Sequence, residues 1–143
     1  MKVTILGISV LAAALTLACG GDGSSESPAG SQSEEERIRA AVERTYDLIS
    51  DERLQELWDA YSSDFRERCS FDAMVETVED LKDQGVDRLE VSGFSDIEFI
   101  GDRAQVRYSV VGFDDAGQQT AQYDYDTTLV KENDQWLFEE PCF

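Results

Sequence analysis

Histidine is absent from this chain of 143 residues. That removes the side chain most often used for proton transfer near neutral pH. Basic residues are scarce as well, 12 lysines and arginines against 31 acids, for a formal charge of −19. Such a surface repels nucleic-acid phosphates and anionic lipid headgroups, so a nucleic-acid function is excluded. Solubility or adaptation to salt accounts for the excess acid. Long apolar runs are missing too. The one candidate, Val3 to Ala18, has about 15 apolar residues, short of the roughly 20 that a bilayer-spanning helix needs. Cysteine occurs three times, at Cys19, Cys69 and Cys142.

What is present begins with the leader. The run from Val3 to Ala18 follows Lys2 and ends at Cys19-Gly20-Gly21, the pattern of a secretory signal. Leu15-Thr16-Leu17-Ala18-Cys19 resembles a bacterial lipobox, although Thr16 and Leu17 stand where that motif prefers leucine and a small residue. The alternative is an ordinary signal peptide cut after Ala18. The resemblance implies a lipoprotein signal over residues 1–18 and a lipid (palmitate among its chains) on Cys19. It places the protein outside the cytoplasm, on a bacterial membrane. Two or three acyl chains anchor a protein stably where one does not. Residues 19–33 are rich in Gly, Ser, Pro and Glu and read as a flexible linker. A linker of roughly 14 residues reaches about 20 Å. Residues 34–143 remain for one domain with a modest core.

Without the leader the chain keeps 11 basic residues against 31 acids, a formal charge of −20. With Cys19 assigned to lipid, Cys69 and Cys142 are left as a pair. In an exported protein that even remainder predicts a disulfide. In the chain-entropy description the bridge contributes about 4 kcal/mol, and it would hold down the C-terminus. A reactive thiol is the alternative, but neither cysteine has a histidine or a nearby second cysteine to activate it.

The domain reads as helices followed by strands. Ser33 precedes Glu34-Glu35-Glu36, an N-cap with acids in the first turn. Ile38, Val42, Thr45 and Ile49 then share one face. Asp51 is the expected cap of a second helix bearing Leu54, Leu57, Trp58 and Tyr61. Ser70 caps a third, with Phe71, Met74, Val75, Val78 and Leu81, which ends at Gly85. The period then changes to two. Leu89, Val91, Ile97 and Phe99 mark one face of a long strand, with Gly93 and Ser95 between them predicting a bulge or bend. Val106, Tyr108 and Val110 alternate on the next strand. Ala121, Tyr123, Tyr125 and Leu129 alternate on the one after. A turn at Asp114-Asp115-Ala116-Gly117 suggests Phe113 opposite Gln118, Tyr108 opposite Tyr123 and Arg107 opposite Asp124. A turn at 132–134 leads to Trp136, Leu137 and Phe138. The class is α+β: three helices packed on a curved four-stranded antiparallel sheet.

This order resembles the nuclear transport factor 2-like superfamily, a cystatin-like cone. The resemblance lies in Val42-Glu43-Arg44-Thr45-Tyr46, Leu57-Trp58-Asp59-Ala60-Tyr61 and Ser62-Ser63-Asp64-Phe65. It continues in Gly101-Asp102-Arg103-Ala104-Gln105-Val106 and in the close Asn133-Asp134-Gln135-Trp136-Leu137-Phe138. Glu140-Pro141-Cys142 is similar to exported members that carry a disulfide. The superfamily spans enzymes, ligand binders and protein-binding modules, so the fold does not settle the function.

The resemblance implies where a reaction would sit, in the mouth of the cone. Dehydratases of this kind use histidine and aspartate, and histidine is absent. The ketosteroid isomerase pattern places its helix-one tyrosine at Thr45, one residue before Tyr46. It finds Arg68-Cys69-Ser70 where its aspartate segment would lie. No catalytic residue, metal or cofactor is therefore expected. Trp58, Tyr61, Tyr108, Tyr123 and Tyr125 are the candidate pocket lining, with packed core aromatics as the plainer reading. Asp124 and Asp126 share the outer face with Arg107, a solvated charge set of small energetic value. As calcium ligands they lack further oxygens and a loop to wrap the ion, and Asp114 and Asp115 in the turn make a slightly better but still weak site. The expected function is a tethered, non-catalytic domain for a small ligand or an envelope protein. The alternatives are an enzyme of the ketosteroid isomerase or polyketide cyclase type, and a homodimerisation module.

Overall fold

The structure is a computed structural model and describes residues 32–142. The leader, Cys19 and the linker up to Ser31 lie outside the described residues, as does Phe143. No helix among the described residues is long and apolar enough to cross a membrane.

Helix α1 spans Glu34–Ser50. It opens with a reciprocal cap. The Ser33 hydroxyl accepts from the Glu36 amide at 3.2 Å, and Glu36 accepts from the Ser33 amide at 2.8 Å. Ile38, Val42, Thr45, Tyr46 and Leu48 form its buried stripe. Asp51 does not begin the next helix. It closes α1, its amide donating to Asp47, and Glu52 turns the chain through a φ of 57°. Arg53 takes the N-cap position of α2, Leu54–Asp59, without a side-chain bond.

Among the described residues there are four helices, not three. The added one, α3, covers Ser63–Arg68 and is capped by the Ser62 hydroxyl, which accepts from the Phe65 amide at 3.1 Å. Six residues with one fully buried side chain, Phe65, are too few to show a helical period. Helix α4 is Phe71–Asp83, and Gly85 beyond it takes a φ of 79° that a side chain would resist. Ser70 stands at its N-cap but makes no capping bond.

Strands β1 (Arg88–Ile100), β2 (Arg103–Phe113), β3 (Gln119–Glu132) and β4 (Gln135–Phe138) form one antiparallel sheet in sequence order. β1 carries two irregularities, between Val91 and Gly93 and between Phe94 and Asp96. Each flips the alternation, so the second undoes the first. Ile97 therefore stays on the face of Val91, and Phe94, opposite Tyr108, takes the place between them that Gly93 and Ser95 were expected to hold.

The β2–β3 register is two residues away from the expected one. Tyr108 stands opposite Tyr125, Val106 opposite Thr127, Val110 opposite Tyr123 and Arg107 opposite Asp126. One residue of the offset comes from the turn, where Phe113 pairs with Gln119 and not Gln118, and the other from a bulge between Gly112 and Phe113. A slip of two keeps every side chain on its face, so hydrophobic pattern cannot detect it.

α1 crosses the concave side of the sheet. Phe65, Leu48, Leu57, Met74, Val106, Val110 and Leu129 fill the interior between the helices and the strands. Gly112 lets the sheet approach Val86, since a Cβ there would meet the Val86 side chain at 2.9 Å. Cys69, at the end of α3, is bonded to Cys142, with Cα atoms 5.4 Å apart. The bridge joins the C-terminal tail to the helical side of the fold.

Candidate functional site

The concave face assembles a file of hydroxyl groups that ends at a carboxyl. Tyr46 comes from the buried stripe of α1, Tyr108 from β2, Thr127 from β3 and Glu140 from the tail. The Tyr46 and Tyr108 hydroxyls are 3.0 Å apart, and the Tyr108 and Thr127 hydroxyls 3.3 Å. The Thr127 hydroxyl donates to Glu140 Oε1 at 3.0 Å. Each hydroxyl has one proton to give. With Thr127 donating to Glu140, Tyr108 donates to Thr127 and Tyr46 to Tyr108. All three protons point toward the acid.

Aromatic rings enclose this file. Tyr125 stacks on Tyr108 with centroids 5.5 Å apart, and Tyr46 lies 5.9 Å from Tyr108. Phe94 and Tyr123 extend the layer. Tyr108 is 2% exposed and Tyr125 36%, so the layer opens to solvent at its Tyr125 end. Burial raises the Glu140 carboxyl pKa, opposed in part by the Thr127 bond. Burial also pushes Tyr108 up to about 12 and raises Tyr46, Tyr61 and Tyr125. The phenols are therefore neutral donors at any ordinary pH.

Of the five aromatic residues singled out in the sequence, Tyr108, Tyr123 and Tyr125 share this layer. Tyr61 stacks on Phe65 at 4.2 Å and also feels Glu140, Tyr108 and Tyr125 electrostatically. Trp58 lies apart, edge-on to Phe65 and Phe71. Sequence reasoning missed Tyr46, Phe94, Thr127 and Glu140. Tyr46 has a visible signal, four residues after Val42. Glu140 has none, because its position depends on where the tail is tied.

Two open concavities lie elsewhere. A groove of about 530 Å³ lies between α1, α2 and β4, lined by Arg37, Ala41 and Arg44 with Asp59, Trp136 and Leu137. A second hollow of about 430 Å³, at the end of α1 beside β1, shares Arg44 and includes Arg53 and Arg88. None of the five aromatic residues lines either one.

Ion pairs fasten the rim of the groove. Glu34 accepts from Trp136 Nε1 at 2.7 Å and from Lys131 Nζ at 2.9 Å, which holds its pKa below the usual range. Arg37 reaches the carboxylate and carbonyl of Asp134 in the β3–β4 turn. Arg44 is less engaged. It stands 3.7 Å from the Glu56 carboxylate, which Arg53 already holds at 2.5 Å.

On the outer face Arg107 pairs with Asp126 at 3.1 Å and Asp96 at 3.5 Å, while Asp124 accepts from Ser109 at 2.5 Å. Asp114 accepts from the Gln118 amide at 2.7 Å within its own turn. Among the described residues no three acidic or cysteine side chains converge as metal ligands.

No family model and no curated protein matches the sequence. Solved structures do match. A protein named after scytalone dehydratase, from Novosphingobium aromaticivorans, is 20% identical with a TM-score of 0.55, over 73% of this chain and 78% of its own. An NTF-2 like protein of unknown function from Shewanella oneidensis is 12% identical with a TM-score of 0.54, over 73% and 93%. A SEC-C motif containing protein from Rhodopseudomonas palustris is 16% identical with a TM-score of 0.51, over 71% and 73%. At these identities the likeness is one of fold: the chain has the nuclear transport factor 2-like fold.

Proposed function

We infer that this protein is a membrane-tethered, extracytoplasmic domain that binds a small ligand or an envelope protein and catalyses no reaction of its own. The groove between α1, α2 and β4 carries this reading, being open and furnished with Trp136, a small alanine floor and the lightly engaged Arg44. The Tyr46 and Tyr108 hydroxyls support it from the other side, since they are bonded to each other and neither residue lines the groove. The tether rests on the sequence around Cys19, and intact mass of the membrane-extracted protein tests it. A mass lacking the acyl chains would remove that part of the reading.

The binding role is tested by a thermal-shift screen of small molecules. The expected hits disappear in Ala41→Trp, which fills the groove, and persist in Tyr108→Phe. Hits lost only in Tyr108→Phe would place the ligand in the tyrosine layer and overturn the groove assignment.

One observation favours an enzyme as the second reading: Glu140, a half-buried acid at the end of the hydroxyl file. Asp124 is not the partner of Tyr108, because it lies on the outer face with Ser109. Turnover of an ester, epoxide or isomerisable ketone that is abolished by Glu140→Gln would establish this second reading. Size-exclusion chromatography with light scattering tests the homodimer.

A further inference from the structure

The tail after β4 combines three observations. Glu139 extends the ladder, its amide donating to the Thr128 carbonyl at 2.9 Å, and Arg103 holds its carboxylate at 2.5 Å. Glu140 turns inward and caps the hydroxyl file at Thr127. Cys142 then ties the chain across to Cys69 at the end of α3. The tail is thus a bridge from the sheet to the helices, and it covers the edge of β3 at Thr127 and Thr128. β4 itself pairs with β3 only at Leu129–Glu132.

The groups facing Glu140 are Tyr46 from α1, Tyr61 from the α2–α3 link, Tyr108 from β2, and Tyr125 and Thr127 from β3. None of these is a cation. An ionised Glu140 therefore has the Thr127 hydroxyl as its donor and no counter-charge among these groups, and water would solvate it better. The covalent tie, together with the Glu139 bonds to Thr128 and Arg103, acts against this tendency.

We propose that Glu139–Cys142 is a strap latched by the Cys69–Cys142 disulfide, and that reduction of this bond releases the strap from the Thr127–Thr128 edge of β3 while the domain stays folded. Cys142 is exposed and Cys69 half-buried, so the bond is open to attack. The reductant is a dithiol. One of its thiolates attacks Cys142 Sγ, the Cys69–Cys142 bond breaks, and Cys69 leaves as a thiolate that takes a proton. The second sulfur of the dithiol attacks the mixed disulfide and frees Cys142, which takes the second proton. Two electrons pass from the dithiol, now a disulfide, to the cysteine pair. Ionisation of Glu140 drives the freed strap outward, and its protonation draws the strap back. The opened edge presents Thr127 and the backbone of β3.

Hydrogen exchange on the full chain in detergent, with and without dithiothreitol, tests the proposal at about pH 5 and about pH 8, expressed as protection factors to remove the intrinsic pH dependence. On reduction, peptides covering 124–130 and 136–142 are expected to lose protection to at least about tenfold below peptides covering 38–48 and 104–112. The loss is larger at the higher pH in the wild type and equal at both in Glu140→Gln, whose amide keeps the shape of the acid. Equal loss in the tail and core peptides would mean that the bridge only stabilises the whole fold, and it would overturn the strap. Unchanged exchange in the tail would overturn it as well. A pH difference that survives in Glu140→Gln would overturn the part assigned to that acid.

Discussion

The groove beside α1 and the tyrosine layer beneath it use polar groups in opposite ways. At the groove, Glu34, Arg37, Lys131 and Asp134 exchange ion pairs at an exposed rim. In the layer, Tyr46, Tyr108 and Thr127 pass neutral hydrogen bonds through a packed interior to one acid. Water and salt can replace the first set at little cost. Nothing replaces the second, because a buried hydroxyl that loses its partner loses all its hydrogen bonding. The number of polar contacts is therefore a poor guide to which region holds the fold together.

That contrast is sharpened most by the bridge that ties the tail over the interior. Joint Cys69→Ala and Cys142→Ala substitution is expected to lower stability by about 4 kcal/mol in the chain-entropy description, measured by urea unfolding. Next comes Tyr108→Phe. It removes the hydroxyl between Tyr46 and Thr127 and is expected to cost about 1–3 kcal/mol in the same assay. A loss no larger than that of an exposed tyrosine would erase the distinction between the two regions.

Glu140→Gln tests the interior by pH. The folded pKa of Glu140 is raised, so the stability from its neutral form is complete below the ordinary carboxyl pKa. That stability is lost as pH rises through the folded value. Glu34, Asp126 and Asp134 have lowered values, so their contribution is lost as pH falls. The variant is therefore expected to gain thermal stability relative to wild type as pH rises, and a constant difference across pH would count against a raised Glu140. The smallest effect belongs to the groove. Asp134→Ala is expected to shift the unfolding midpoint little at low salt and not measurably at high salt. A large, salt-independent shift would show that the rim is structural.

Much of the architecture was legible in the chain. The Ser33 cap, the α1 stripe and the inward set of Val106, Tyr108 and Val110 follow from local rules that tertiary contacts reinforced. α3 was not legible, because a helix of six residues is shorter than the window in which a period can be seen. The Asp51 cap was misplaced because aspartate serves either side of a tight turn, and the positive φ of Glu52 decides which. The tyrosines were identified and their surroundings were not. Trp58 and Tyr61 both touch Phe65, yet Trp58 reaches on to Phe71 of α4 and Tyr61 to Phe138 of β4.

By itself the sequence determined which way the residues of β2 face, because alternation with a period of two is a local property of the backbone; in β1 the two irregularities put Phe94 where Gly93 and Ser95 were expected. It also determined the acidic surface and the pairing of Cys69 with Cys142 once Cys19 is assigned to lipid. Tertiary structure decided the partners. The longer turn and the bulge beside Phe113 together chose between two registers that alternation treats as equal, and so put Tyr125, not Tyr123, against Tyr108. The closing of the tail onto α3 brought Glu140 to Thr127, across a separation of 13 residues that no local rule connects. The physical reason is the same in both cases. Facing depends on neighbours one or two bonds along the chain, whereas contact depends on how distant segments close upon each other.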